Sequence, residues 1–214
     1  PLTSVIHLAG VIKDGLIDLM TEQDLATVLS AKLDAAVYLD ELTKKMPLSS
    51  FILFSSLSGL LGTPGQANYA AANIFLDALA QHRRANGLVA TSLAWGPWDE
   101  GGMAARVSDL DLARIQKMGV SLLSPKQGMA LFDAALSNTQ ANLIPLNLNR
   151  SSAAPHPLVA QFLMAKTEEH KETNIQNQKK SEDKSVSLKQ TLVGLNEANR
   201  YQNILKWVTA EVAS

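Results

Sequence analysis

The chain has 214 residues, 46% of them apolar, which is enough for one domain with a sizeable buried core. Its net charge of -1, without a basic stripe, argues against a nucleic-acid partner held by phosphate neutralisation. With no cysteine there is no disulfide or thiolate metal site, which fits a reducing cytoplasm, and no apolar run nears the ~20 residues that span a bilayer. In chain order, four short apolar runs predict buried strands over Ser4–Ala9, Phe51–Ser56, Val89–Ala94 and Asn142–Leu148. The second reads Phe-Ile-Leu-Phe without polar alternation, as a parallel strand covered on both faces does. Helical stretches separate these runs, which is the pattern of βαβ units.

The first long helix is predicted from Thr21, with Asp24 three residues on as in a capping box, to about Met46 before Pro47. A second spans Ala67–Ala85, where Arg83 and Arg84 suit the C-terminal dipole and Gly87 follows as a stop. A third begins at Ser124-Pro125, with Gln127 completing a capping box. Residues 1–164 are therefore expected to form an α/β domain with a Rossmann-like, doubly wound parallel sheet. Residues 165–185, rich in Lys, Glu, Gln, Asn and Ser, are expected to be a flexible linker. Over 186–214 apolar residues return at helical spacing, among them Leu188, Leu192, Leu195, Leu205 and Val212. The chain opens on Pro1-Leu2-Thr3 without a Met and stops inside a helical pattern, so both ends are expected to be cuts.

Five residues carry candidate chemistry. Leu25, Val28, Leu29, Leu33 and Ala36 form an apolar helical stripe, and at about 100° per residue Lys32 falls in its middle. A lysine there either snorkels to water or has a buried partner. Ser55 and Ser56 close the second strand, at the end where open α/β sheets bind ligands; they also suit the start of a turn through Leu57-Ser58-Gly59. Tyr69 and Asn73 are four apart and share a helix face, where a tyrosine among alanines also suits ordinary packing. His7, His82, His156 and His170 have no metal-like spacing, and His7, in a strand, reads as a satisfied core histidine. No metal site is expected.

Lys32, Ser56, Tyr69 and Asn73 are spaced 24, 13 and 4 apart. They sit within His7-Leu8-Ala9-Gly10, Ala31-Lys32-Leu33-Asp34, Leu53-Phe54-Ser55-Ser56 and the run from Pro64 through Tyr69 to Asn73, followed by Ala94-Trp95-Gly96-Pro97-Trp98. Over about residues 1–160 the chain resembles the ketoreductase domains of modular polyketide synthases, within the short-chain dehydrogenase/reductase superfamily. The usual superfamily pattern has lysine four residues after the tyrosine, where this chain has Asn73. In the ketoreductases that lysine and asparagine look exchanged, which puts the displaced lysine at Lys32.

The resemblance implies an NADPH-dependent reduction of a carrier-bound β-ketoacyl thioester to a 3-hydroxyacyl thioester. Tyr69 would be the proton donor, Ser56 would hydrogen-bond the carbonyl, and Asn73 would hold the network that positions Lys32. A free tyrosine titrates near ~10, and a nearby Lys32 ammonium is expected to lower that. Ala9, Gly10, Ser55, Tyr69, Lys32 and the Gly96-Pro97-Trp98 turn would meet the cofactor. Asp99–Arg106, with Gly101, Gly102 and Met103, resembles the mobile substrate lid. For stereocontrol, B-type members carry Leu-Asp-Asp where this chain has Ile12-Lys13-Asp14; the A-type tryptophan is replaced by Leu61. Asp14, Leu61, Gln66 and Met103 would thus face the substrate, and a B-type enzyme giving a D-hydroxyl is expected. Asp14 beside Gly15 also suits a plain turn. The resemblance further implies that 186–214 begins an acyl carrier domain, and that the partners are the phosphopantetheine-linked substrate on that carrier and other synthase domains.

No Gly-x-Gly-x-x-Gly, the turn that cradles a cofactor pyrophosphate, occurs in these residues. The chain is therefore expected to be the catalytic half of the domain and inactive alone. Two other readings stay open: a non-catalytic structural ketoreductase-like domain, and a free-standing short-chain dehydrogenase, which would need lysine at position 73.

Overall fold

The computed structural model describes residues 1–99, 109–152, 154–162 and 199, with side-chain burial from 112 onward in the second stretch. The predicted linker and carrier helix lie outside the described residues apart from Asn199, as do Met103 and most of the expected lid. The chain divides into two units, Pro1–His170 and Lys171–Ser214, and the fold described below is that of the first.

Strands β1 (Ser4–His7), β2 (Ser50–Ser56), β3 (Thr91–Trp95) and β5 (Asn142–Leu143) form one parallel sheet in the order β1-β2-β3-β5. A second, antiparallel pair joins β4 (Val120–Ser121) to β6 (Asn147–Leu148). The helices are α1 (Glu22–Leu29), α2 (Ala35–Thr43), α3 (Leu57–Leu61), α4 (Ala67–Ala85), α5 (Asp109–Lys117) and α6 (Pro125–Leu136).

Alternation along the strands assigns each side chain to one of two cores. Val5, Phe51 and Leu53 turn to one face, with Leu76, Leu79 and Ala80 of α4 and Ala36 of α2. Ile52, Leu93 and Trp95 turn to the other, with Ala135, Leu131 and Phe132 of α6. Helices cover both faces, so the expected α/β class with a doubly covered parallel sheet is what the chain forms. No helix among the described residues is long and apolar enough to cross a membrane.

Several expected boundaries shift for local reasons. The predicted strand over Asn142–Leu148 splits at Pro145, which cannot donate to a ladder: Asn142–Leu143 stay in the main sheet and Asn147–Leu148 leave it. The expected turn at Leu57-Ser58-Gly59 is the short helix α3, capped by the Ser56 hydroxyl, which accepts from the Ser58 amide at 3.2 Å. Helix α4 has the predicted ends, and both capping boxes form, at Thr21/Asp24 and at Ser124/Gln127. The predicted first long helix is interrupted. Between α1 and α2 lies a π-helical segment, Ser30–Asp34, with Lys32 at its centre.

The Gly96-Pro97-Trp98 turn is clamped from three sides. Gly96 N donates to Pro145 O at 2.9 Å, and Leu123 N to Pro97 O at 2.8 Å. The Trp98 ring lies 5.0 Å from that of Trp95 and fills the space over Gly128, where a Cβ would come within 2.1 Å of Trp98 Cη2. Gly128→Ala should therefore force the indole out at a cost of about 1–3 kcal/mol. Chemical denaturation of the chain, followed by tryptophan fluorescence, should show a lower midpoint and a shifted folded-state spectrum.

Candidate functional site

The site forms where the ends of β1 and β2 meet the start of α4. Lys32 is 2% exposed although charged. Its Nζ donates to Phe54 O at 2.8 Å, so the buried partner exists and the snorkelling alternative does not hold. Gly10, just after β1, makes this possible: a Cβ there would lie 3.0 Å from Lys32 Cε. The Lys32 carbonyl is met at 3.3 Å by Nε2 of buried His7, the satisfied core histidine expected from the sequence.

Tyr69 is buried on the first turn of α4, packed with Val28 and Ala72, and its ring centroid is 5.5 Å from Lys32 Nζ. That is within the range of a cation–π contact. Asn73, one turn on, is completely buried; its Nδ2 donates to Tyr69 O at 2.8 Å, while Oδ1 has no partner among the described residues. Ser56, half-buried, shares a 2.6 Å hydrogen bond with the Ser58 hydroxyl. If Ser58 supplies the proton of that bond, the Ser56 proton can point at a ligand. The phenol, hydroxyl, amine and carboxamide singled out in the sequence are thus brought together. Burial pushes the Tyr69 phenol up; the Asn73 and Ser56 side chains draw it down, and the Asp14 charge pushes it up again. The expected lowering by Lys32 is therefore corrected: desolvation dominates and keeps the phenol protonated. Burial also pulls Lys32 down to about 8, against the pull of the Asp77 carboxylate.

The remaining expected residues divide. Asp14 and Gln66 meet, with Gln66 Nε2 donating to both carboxylate oxygens at 3.1 and 3.2 Å. Asn68, not singled out in the sequence, ties their loop to α4: Nδ2 donates to Lys13 O at 2.9 Å and Oδ1 accepts from Tyr69 N at 2.7 Å. Leu61 packs with Leu57, Val120 and Val159, so a core contact fixes it. Ala9 is exposed beside Gly10. The Ser55 side chain turns away from the strand rim, donating to Asn73 O at 3.1 Å behind the site. The Trp98 ring is committed to α6 as described above. Met103 lies outside the described residues. Asp77 was also missed; its signal was a charged residue eight positions past Tyr69 on the buried face of α4.

The donor set suits the nicotinamide end of a dinucleotide. An ammonium offers three donors. Phe54 O takes one, and the close approach at Gly10 keeps the amine at the strand rim. No residue here supplies a glycine-rich pyrophosphate turn.

The KR domain family model matches residues 1–100. The chain is 55% identical over 153 residues to polyketide synthase GfsB of Streptomyces halstedii, covering 71% of this chain and 3% of that protein. It is 38% identical over 220 residues to the mycoketide-CoA synthase of Mycobacterium tuberculosis, covering all of this chain and 5% of that one. Among solved structures, an A-type ketoreductase from a modular polyketide synthase superposes with a TM-score of 0.67 at 36% identity, over 76% of this chain and 37% of that one. The chain belongs to the KR domain family. A second such ketoreductase, from the first module of phoslactomycin biosynthesis in Streptomyces sp. HK803, matches with a TM-score of 0.62 at 38% identity, over 74% of this chain and 38% of that one. The chain therefore spans a few per cent of these curated relatives' length and under two fifths of these solved structures.

A lysine with a folded-state pKa near 8 binds fewer protons than its unfolded counterpart between about pH 8 and 10.5. Folding stability from this group should therefore rise with pH across that window. Urea unfolding from pH 7 to 10 should show the rise in the natural chain and its loss in Lys32→Met.

Proposed function

We propose that these residues carry the catalytic half of a β-ketoacyl reductase acting on a thioester held by an acyl carrier protein. The observation that carries this reading is the Lys32 ammonium 5.5 Å from the Tyr69 ring, at the rim where β1 and β2 end. NADPH, when bound, supplies a hydride to the ketone carbon. Tyr69, held protonated by burial, gives its proton to the ketone oxygen as that oxygen gains negative charge, and regains one from solvent. Ser56 donates a hydrogen bond to the same oxygen. Lys32 would hold the nicotinamide ribose, and Ala9 and Gly10 would meet the same cofactor. Asn73 anchors the turn of α4 that bears Tyr69 through its bond to Tyr69 O.

The B-type reading is supported by Asp14. Its carboxylate acts on Tyr69 and is pinned by Gln66, so it borders the space where a ketone would face the phenol. A D-configured 3-hydroxyl follows from that resemblance. The same reading makes 165–185 a linker and 186–214 the start of the carrier domain, in a cytoplasmic synthase whose other domains are the partners. The sequence lacks a pyrophosphate turn, so residues 1–214 by themselves are expected to be inactive.

In the intact ketoreductase domain, Tyr69→Phe should lower the rate on a β-ketoacyl thioester by roughly 100-fold or more while leaving NADPH binding in place. A near-normal rate would remove Tyr69 as proton donor. Chiral analysis of the natural domain's product should give the D-hydroxyl; an L product would overturn the stereochemical assignment. Residues 1–214 alone should show no NADPH oxidation with the same thioester.

A further inference from the structure

Asp77 lies on α4 one turn beyond Asn73 and two beyond Tyr69, so the three share one helix face. It is 3% exposed. Ser92 of β3 donates to its Oδ1 at 2.6 Å, and its Oδ2 has no hydrogen-bond partner among the described residues. A buried carboxylate with an unsatisfied oxygen is costly unless a positive charge compensates it. The Ser55 hydroxyl is within its reach but has a single proton, which goes to Asn73 O. The positive charge that acts on it is Lys32, and the effect is mutual. Lys32 in turn hangs on the carbonyl of Phe54, the residue next to Ser55. The α2 and α4 helices cover the same face of the sheet, the face to which Ser55 turns, so the ammonium and the carboxylate approach the end of β2 from one side.

We propose that Asp77 is a positioning residue: its buried carboxylate is the counter-charge that keeps the Lys32 amine protonated and seated on the end of β2. It touches no substrate and acts through Lys32, so its part in a reduction rests on the proposed reductase reading. The titratable groups around the pair are His7 from β1 and Tyr69 on α4 itself, with Asp14 acting on Tyr69 from its loop. His7 is held neutral by burial, so it adds no cation beside Lys32 at neutral pH. Burial pushes the Asp77 carboxyl up, while Ser92, Ser55 and Lys32 draw it back.

The test is an NMR titration of the Lys32 ε-methylene and the Asp77 carboxyl in residues 1–214, which needs no turnover. In the natural chain Asp77 should be ionised at pH 7; a carboxyl still protonated there would overturn the inference without any variant. In Asp77→Asn, which keeps size and an acceptor for Ser92, the Lys32 midpoint should fall by about one pH unit or more. An unchanged midpoint in a folded variant would also overturn it. In the intact domain the alkaline limb of the rate profile should move down with the Lys32 midpoint, and Asp77→Glu should restore most of it. If the natural domain reduces no β-ketoacyl thioester, the reductase reading falls while the titration still decides the role of Asp77.

Discussion

A buried ammonium on a single carbonyl organises this fold. Taking a lysine amine out of water is expensive, and the structure meets that cost with several separate features. Gly10 leaves room for the side chain, Phe54 O accepts a proton, and the Tyr69 ring faces it. The Asp77 carboxylate favours the charged form. The features come from three elements: the end of β1, the end of β2, and the first and third turns of α4. The ends of the strands and the start of α4 are thereby held in one place, and the Tyr69 phenol sits among them.

Burial gives the two central groups opposite tendencies. Desolvation disfavours charge on both, so the phenol is held up and the ammonium is held down. The phenol and its cationic neighbour are thus driven apart, so Tyr69 keeps its proton across the range in which Lys32 loses one, without any metal ligand cluster among the described residues.

Much of this was legible in the sequence because it depended on period and spacing. The unbroken apolar run Phe51–Phe54 marked a central parallel strand, and the punctuation at Ala67 and Gly87 marked α4 to the residue. Lys32 stood out because a charge interrupts an apolar stripe. Other features had no local signal. Ser55 and Ser56 are adjacent and identical in kind, yet alternation turns one onto the backbone of α4 and leaves the other at the strand's rim. Only the third dimension sorts them. Trp98 looked like a pocket residue, but its ring is claimed by Gly128, thirty positions on in the chain. Asp77 was hidden because a lone acid in a helix is normally solvated.

The π segment decides where the amine points. Four residues of an α-helix overshoot a full turn by about 40°, so Val28, Lys32 and Ala36 would spiral away from one another in an unbroken helix. The wider turn at Ser30–Asp34 takes up that drift, and all three are buried in line. Phase along this helix is therefore set by counting and not by chemistry. Exposed side chains between Thr21 and Thr43 can be exchanged while the amine keeps its bearing. Loss or gain of one residue there would swing it about 100° around the axis and into solvent or into the wrong wall. Surface loops absorb length changes readily, whereas this stretch is intolerant of them although it looks like ordinary helix.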